Sequence, residues 1–220
     1  MLFDLRSRGR RRTVQVVYLG LAILFGAGLV LFGVGTGSGG GLLNAFTGNG
    51  SGNSQSSAVS QAEKTALRQT KANPSSPAAW AALVNARWST ANQNSQQTTT
   101  GFLFNTKGKQ ELAGTTDAWQ QYQKLTKAPN PDLAILAARA YAYQTQYAQS
   151  AATWQVEAKA SPNEAKGYVC LALTAYAANQ TRVGDLAKAK ALSLSAKSIR
   201  KTLSSELDQA KTTPSVAQNC

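Results

Sequence analysis

Three regimes of hydrophobic patterning divide the chain. From Val14 to Val34 the sequence VQVVYLGLAILFGAGLVLFGV carries no charge and is apolar on every helical face. These 21 residues rise roughly 31 Å as a helix, the thickness of a bilayer's hydrocarbon. A buried core helix would need an apolar shell that the rest of the chain does not supply. A cleaved signal peptide would have a shorter apolar core and a small-x-small exit, whereas GTGSGGG follows here. The pattern therefore predicts a single transmembrane helix over 13–34, an uncleaved anchor. Ala22 and Gly26 form a small-xxx-small pair. That pair is compatible with weak self-association through the span, or with the ordinary abundance of Gly and Ala in membrane helices.

The second regime, Gly35 to Ser57, has no period, and eight of its 23 residues are Gly. It reads as a flexible linker over 35–57 with an r.m.s. span of roughly 26 Å. The island Leu42–Phe46 reads either as an interfacial turn or as a short docking motif.

The third regime has a 3.6-residue period and predicts a helical domain over 58–211, followed by a flexible tail, 212–220. Ser76-Pro77, Asn130-Pro131 and Ser161-Pro162 each put a capping residue before a Pro, which places helix starts near 77, 131 and 162. Glu164 completes a capping box with Ser161. Further helices are expected over about 58–72, 110–127, 147–160, 183–195 and 198–211. The last, with Leu203 and Leu207 on one side, reads as a polar-backed cap. An insertion loop over about 92–109 interrupts the period.

Internal repetition follows from the apolar positions. Leu136 to Ala142 reads L-A-x-x-A-Y-A, and Leu171 to Ala177 reads the same. Trp119 and Trp154 share that spacing of 35. The unit from Pro131 to Pro162 carries Ala137, Ala138, Tyr141, Ala151, Trp154 and Pro162. The next carries Ala172, Tyr176, Leu186 and Ala187 without the closing Pro. An earlier unit begins at Pro77 with Trp80, Leu83 and Trp88, and its second helix holds Ala118, Trp119 and Tyr122. Over 75–196 the chain resembles the tetratricopeptide repeat family. The resemblance implies an all-α solenoid of about three helix pairs whose first helices line a concave, segment-binding groove. In that alignment Arg139, Tyr143 and Thr174 point into the groove. Arg139 also reads as a solvated charge, and Tyr143 as packing on the next helix.

Charge sets orientation and narrows the chemistry. Residues 1–12 carry five Arg against Asp4, and no charge follows the span until Glu63. The positive-inside rule keeps the basic N-terminus, 1–12, in the cytoplasm and the rest outside, a single-pass layout typical of a bacterial membrane protein. The whole chain is +13; residues beyond the N-terminus hold 18 Lys/Arg against 9 Asp/Glu, a net +9. Those cations are spread rather than clustered, so no nucleic acid is expected as partner.

The chain has no His, which removes the usual general base, metal ligand and pH switch. No phosphate loop, nucleophile elbow or ligand cluster appears, so it reads as non-enzymatic with no cofactor. An oxidising exterior would permit a Cys170–Cys220 disulfide, although a single helical Cys also reads as a packed small residue. Within the insertion, Phe102, Leu103 and Phe104 form either a partner-contacting finger or a fold-back cover. Two functions fit these readings. One is a membrane-anchored adaptor binding proteins on the extracytoplasmic side, alongside export or envelope machinery. The other is a surface protein binding anionic lipid or wall polymer through distributed charge.

Overall fold

A computed structural model of the chain describes residues 53–98 and 101–220. The predicted span over 13–34, its small-residue seam and the Leu42–Phe46 island lie outside them. Among the described residues no helix is long and apolar enough to cross a membrane.

The described chain is helical throughout except for one hairpin. In order it runs α1 (Asn53–Ala72), α2 (Pro77–Gln93), β1 (Ser95–Thr98), β2 (Gly101–Phe104), α3 (Thr106–Leu125), α4 (Pro131–Tyr143), α5 (Tyr147–Ala160), α6 (Ala165–Ala177), α7 (Thr181–Leu194) and α8 (Arg200–Gln209). A 3-10 turn, Lys197–Ile199, precedes α8, and another, Pro214–Asn219, follows it.

Local chemistry explains most boundaries. Helix α1 is already helical at Asn53, the first described residue and ahead of the expected 58, in keeping with the lack of Gly or Pro between Asn53 and Ala72. The Ser76 hydroxyl accepts from the Ala79 amide at 3.3 Å ahead of Pro77. Asn130 Oδ1 accepts from the Asp132 and Leu133 amides at 2.8 and 3.1 Å ahead of Pro131. These are two of the three caps the sequence signalled.

The third signal misleads. Ser161-Pro162-Asn163 is a turn, closed by the Glu164 amide donating to the Ser161 carbonyl at 3.0 Å. Helix α6 starts only at Ala165, with Glu164 as an N-cap that makes no side-chain cap bond. The capping box at Ser161 does not form.

The repeat is real, and its period is 34. Helices α4 and α6 start at Pro131 and Ala165, and α5 and α7 at Tyr147 and Thr181, each a step of 34. Thr145 and Asn179 occupy the left-handed region at the same φ of 59°. The Gln146 amide donates to Tyr141 O at 2.9 Å, and the Gln180 amide to Ala175 O at 2.8 Å. The L-A-x-x-A-Y-A match, 35 apart, is thus slipped by one residue. Ala-rich helix faces are nearly uniform, so side-chain type alone does not fix their rotation.

Each helix packs on the next, α1 through α7, and α2 also meets α4, which gives the stacked helix-pair packing of a solenoid. Close approach is allowed by Ala134, Ala137, Ala138 and Ala172, all fully buried, while Trp119 and Trp154 fill the gaps between pairs. Helix α8 packs on α6 and α7 through the fully buried Leu207, with Leu203 half-buried beside it.

The insertion forms an antiparallel β-hairpin that pairs Ser95 with Phe104 and Gln97 with Phe102. The otherwise all-α domain therefore carries one small two-stranded sheet. The tail also departs from expectation. Residues expected to be flexible over 212–220 are ordered, with Ala217 fully buried and Cys220 bonded to Cys170.

Candidate functional site

The first helices of successive pairs, α2, α4 and α6, share one face. Trp88 on α2, Arg139 and Tyr143 on α4, and Val169, Cys170 and Leu173 on α6 line two adjoining cavities of about 790 and 320 Å³. Among the described residues, none from the second helices α3, α5 or α7 lines either cavity.

The chain's own C-terminal segment lies on that face. Residues Pro214–Asn219 pack on α6 and α4. Four ties hold the segment. A disulfide joins Cys220 to Cys170, across a sequence separation of 50 and a Cα–Cα distance of 5.6 Å. Arg139 Nε donates to the Cys220 main-chain oxygen at 2.6 Å. Gln218 Nε2 donates to the Ala142 carbonyl at 3.4 Å. Tyr147 and Gln218 share a side-chain hydrogen bond. Val216 and Ala217 pack into the core cluster around α6.

Arg139 is half-buried, and its guanidinium pKa is drawn down by that burial, with Tyr143 opposing. Burial pushes the Tyr143 phenol up, while a hydrogen bond with the Phe102 main chain and the Arg139 charge draw it down. Arg139 is accordingly not a solvated charge. Its Nε instead holds the Cys220 main-chain oxygen.

The hairpin closes the other end of the face. Phe104 is 6% exposed and packs with Trp88, Leu112 and Ala140. Its ring lies 4.8 Å from that of Tyr143, edge-on, and Phe102 lies 6.3 Å from Tyr143. Gly101, at φ +132°, brings the hairpin within van der Waals reach of the Tyr143 hydroxyl and Asn219. Leu103 points away and is 61% exposed. The Phe-Leu-Phe group therefore divides, with Phe104 folded back, Phe102 at the cavity edge, and Leu103 in solvent.

Thr174 is not on this face. It is fully buried, and its hydroxyl donates to Cys170 O and Leu171 O at 2.7 and 3.2 Å. The one-residue slip explains the miss. In the 34-residue register Thr174 corresponds to Ala140, also fully buried, and Leu173 corresponds to Arg139. Sequence reasoning also passed over Trp88 and Gln218 as members of this face, and Tyr147 of α5 as a tie to the segment. The available signal was the Val216-Ala217 pair beside Cys220, an apolar step that a free tail does not need.

The acids serve elsewhere. Asp132 stands in the first turn of α4. Asp185 accepts from the Tyr176 hydroxyl at 2.7 Å. Glu63 Oε2 accepts from Thr90 Oγ1 at 2.9 Å, and the Glu63 and Glu111 carboxyls share a hydrogen bond. Burial, then Glu63, raises the Glu111 pKa, with Arg87 opposing. Compared with family models, curated proteins and solved structures, the chain matches none of them.

Proposed function

We propose that the chain is a membrane-anchored, non-enzymatic scaffold of tetratricopeptide-like helix pairs. In this reading residues 13–34 span the bilayer and 35 to about 52 tether the repeats. The repeats bind segments of other proteins on the extracytoplasmic side of a bacterial membrane, and α8 ends the stack with a polar back. One observation carries the reading. The face built from α2, α4 and α6 already holds a peptide, the segment Pro214–Cys220, through an arginine on its main chain and a buried apolar step. A surface able to seat one such segment has the shape and chemistry to seat another.

The test is crosslinking of the intact protein in its native membrane, followed by mass spectrometry. A short, recurrent set of membrane, envelope or export proteins, captured through Trp88, Arg139 or Tyr143, supports the scaffold. Capture of lipid or wall polymer alone, lost as salt is raised, overturns it in favour of charge-driven surface binding by the +9 domain.

A further inference from the structure

We propose that the Cys170–Cys220 disulfide is a redox latch. It keeps the chain's own C-terminal segment in the groove, and its reduction opens the groove to another segment. The inference rests on the scaffold reading and names the regulation of that same face.

Apart from the disulfide, the segment is held lightly. The Thr213 and Val216 amides bond to Gln209 O and Thr213 O, within the segment and the end of α8, rather than to the helices beneath. The ties to those helices are the Arg139 and Gln218 hydrogen bonds, the Tyr147–Gln218 bond, the buried Ala217 methyl and half-buried Val216. A short segment with so few buried contacts sits at the low end of local stability. The cross-link changes that, because it fixes Cys220 against α6 at the centre of the groove. The larger cavity, about 790 Å³, opens beside the bond and is lined by both cysteines. The bond therefore borders open space, with Cys170 itself buried in the core cluster and Cys220 half-buried.

The chemistry needs a dithiol reductant. Its thiolate attacks the sulfur of Cys220, the less buried of the two cysteines. The S–S bond breaks and Cys170 leaves as a thiolate that takes a proton. The reductant's second thiol then displaces Cys220 as a thiol and closes the reductant's own disulfide. Two electrons pass to the protein and two thiols result. Segment 213–220 is then tied only by those hydrogen bonds and the packing of Val216 and Ala217. Arg139 is freed to hold the main-chain oxygen of an incoming segment.

Hydrogen–deuterium exchange on the full chain, with and without dithiothreitol, tests the latch. A labelled peptide of sequence KTTPSVAQNS, which mimics residues 211–220 without the thiol, serves as probe. Reduction is expected to speed exchange over 211–220 by at least about tenfold, with α4 and α5 unchanged, and to let the peptide bind. Cys220→Ser reproduces both effects without reductant, and adding Arg139→Ala to it abolishes peptide binding.

Unchanged exchange over 211–220 on reduction overturns the proposal, since the segment then stays seated without the bond. Loss of the circular dichroism of the helices on reduction also overturns it, since the bond is then a structural staple. The probe requires no natural partner. A latch that opens while crosslinking captures no protein would therefore refute the scaffold alone, and capture without opening would refute the latch alone.

Discussion

Position 184 offers a direct test of the 34-residue register. Gly184 corresponds to Ser150 in the preceding pair, and its neighbour Tyr176 corresponds to Ala142. The two sites trade volume: Ser goes with Ala, Gly with Tyr. A Cβ at 184 would lie 3.0 Å from Tyr176 Cγ and 2.5 Å from Cδ1, and closer still to Cε1. The ring cannot swing aside easily. It is 2% exposed, its hydroxyl donates to Asp185 at 2.7 Å, and Lys211 Nζ sits 4.4 Å from its centroid.

Gly184→Ser should therefore destabilise by about 1–3 kcal/mol through overpacking, less about 0.5 kcal/mol for replacing Gly inside a helix. Tyr176→Ala alone should cost about 3–5 kcal/mol. With the ring gone, a serine side chain introduced at position 184 meets what Ser150 meets, so Gly184→Ser should be neutral or stabilising in the Tyr176→Ala background. Urea unfolding followed by far-UV circular dichroism across the four proteins yields the coupling, expected at about 1–3 kcal/mol. Equal costs of Gly184→Ser in both backgrounds would refute the register and the size exchange together.

Two further predictions concern the hairpin and the half-buried Glu63–Glu111 pair. Phe104→Ala should destabilise by about 3–5 kcal/mol, while Leu103→Ala should stay within about 0.5 kcal/mol; equal effects in thermal melts would mean that the hairpin does not dock through Phe104. Glu111, whose carboxyl is raised above its ordinary value of 4.5 by burial and by Glu63, holds its proton more tightly in the folded state than in the unfolded one. Its contribution is therefore greatest below pH 4.5 and is lost as pH rises through the folded pKa. Glu111→Gln should raise the urea midpoint at about pH 7 relative to the wild type and leave the two close together at about pH 4. A midpoint that falls at neutral pH would show that the Glu111 charge is stabilising.

The helices were legible because their signals are local. Ser76-Pro77 and Asn130-Pro131 cap in place through side chains two or three residues from the amides they satisfy. Small residues recur where helices cross, so the pairing into a stack was readable too. Register was not, because it depends on which Ala faces which neighbour. Glu164 shows the limit: its spacing from Ser161 fits a capping box, yet the chain turns there and the helix waits for Ala165. The one-residue slip between the 35-residue match and the 34-residue register likewise moved Thr174 from an expected groove position to a buried one, and only Arg139 and Tyr143 of the three reach the face.

The segments that shape the groove were the ones with no period. Residues 95–104 and 212–220 lack the apolar spacing of a helix, and nothing local specifies what they do. Each is held by a few long-range contacts: Phe104 on Trp88 and Tyr143, Cys220 on Cys170 and Arg139. Such contacts join positions tens of residues apart, so no sequence window contains both partners. A helix in the stack cannot leave without exposing a core face; the tail also covers core with Ala217 and Val216, and what sets it apart is its single covalent tie at Cys220.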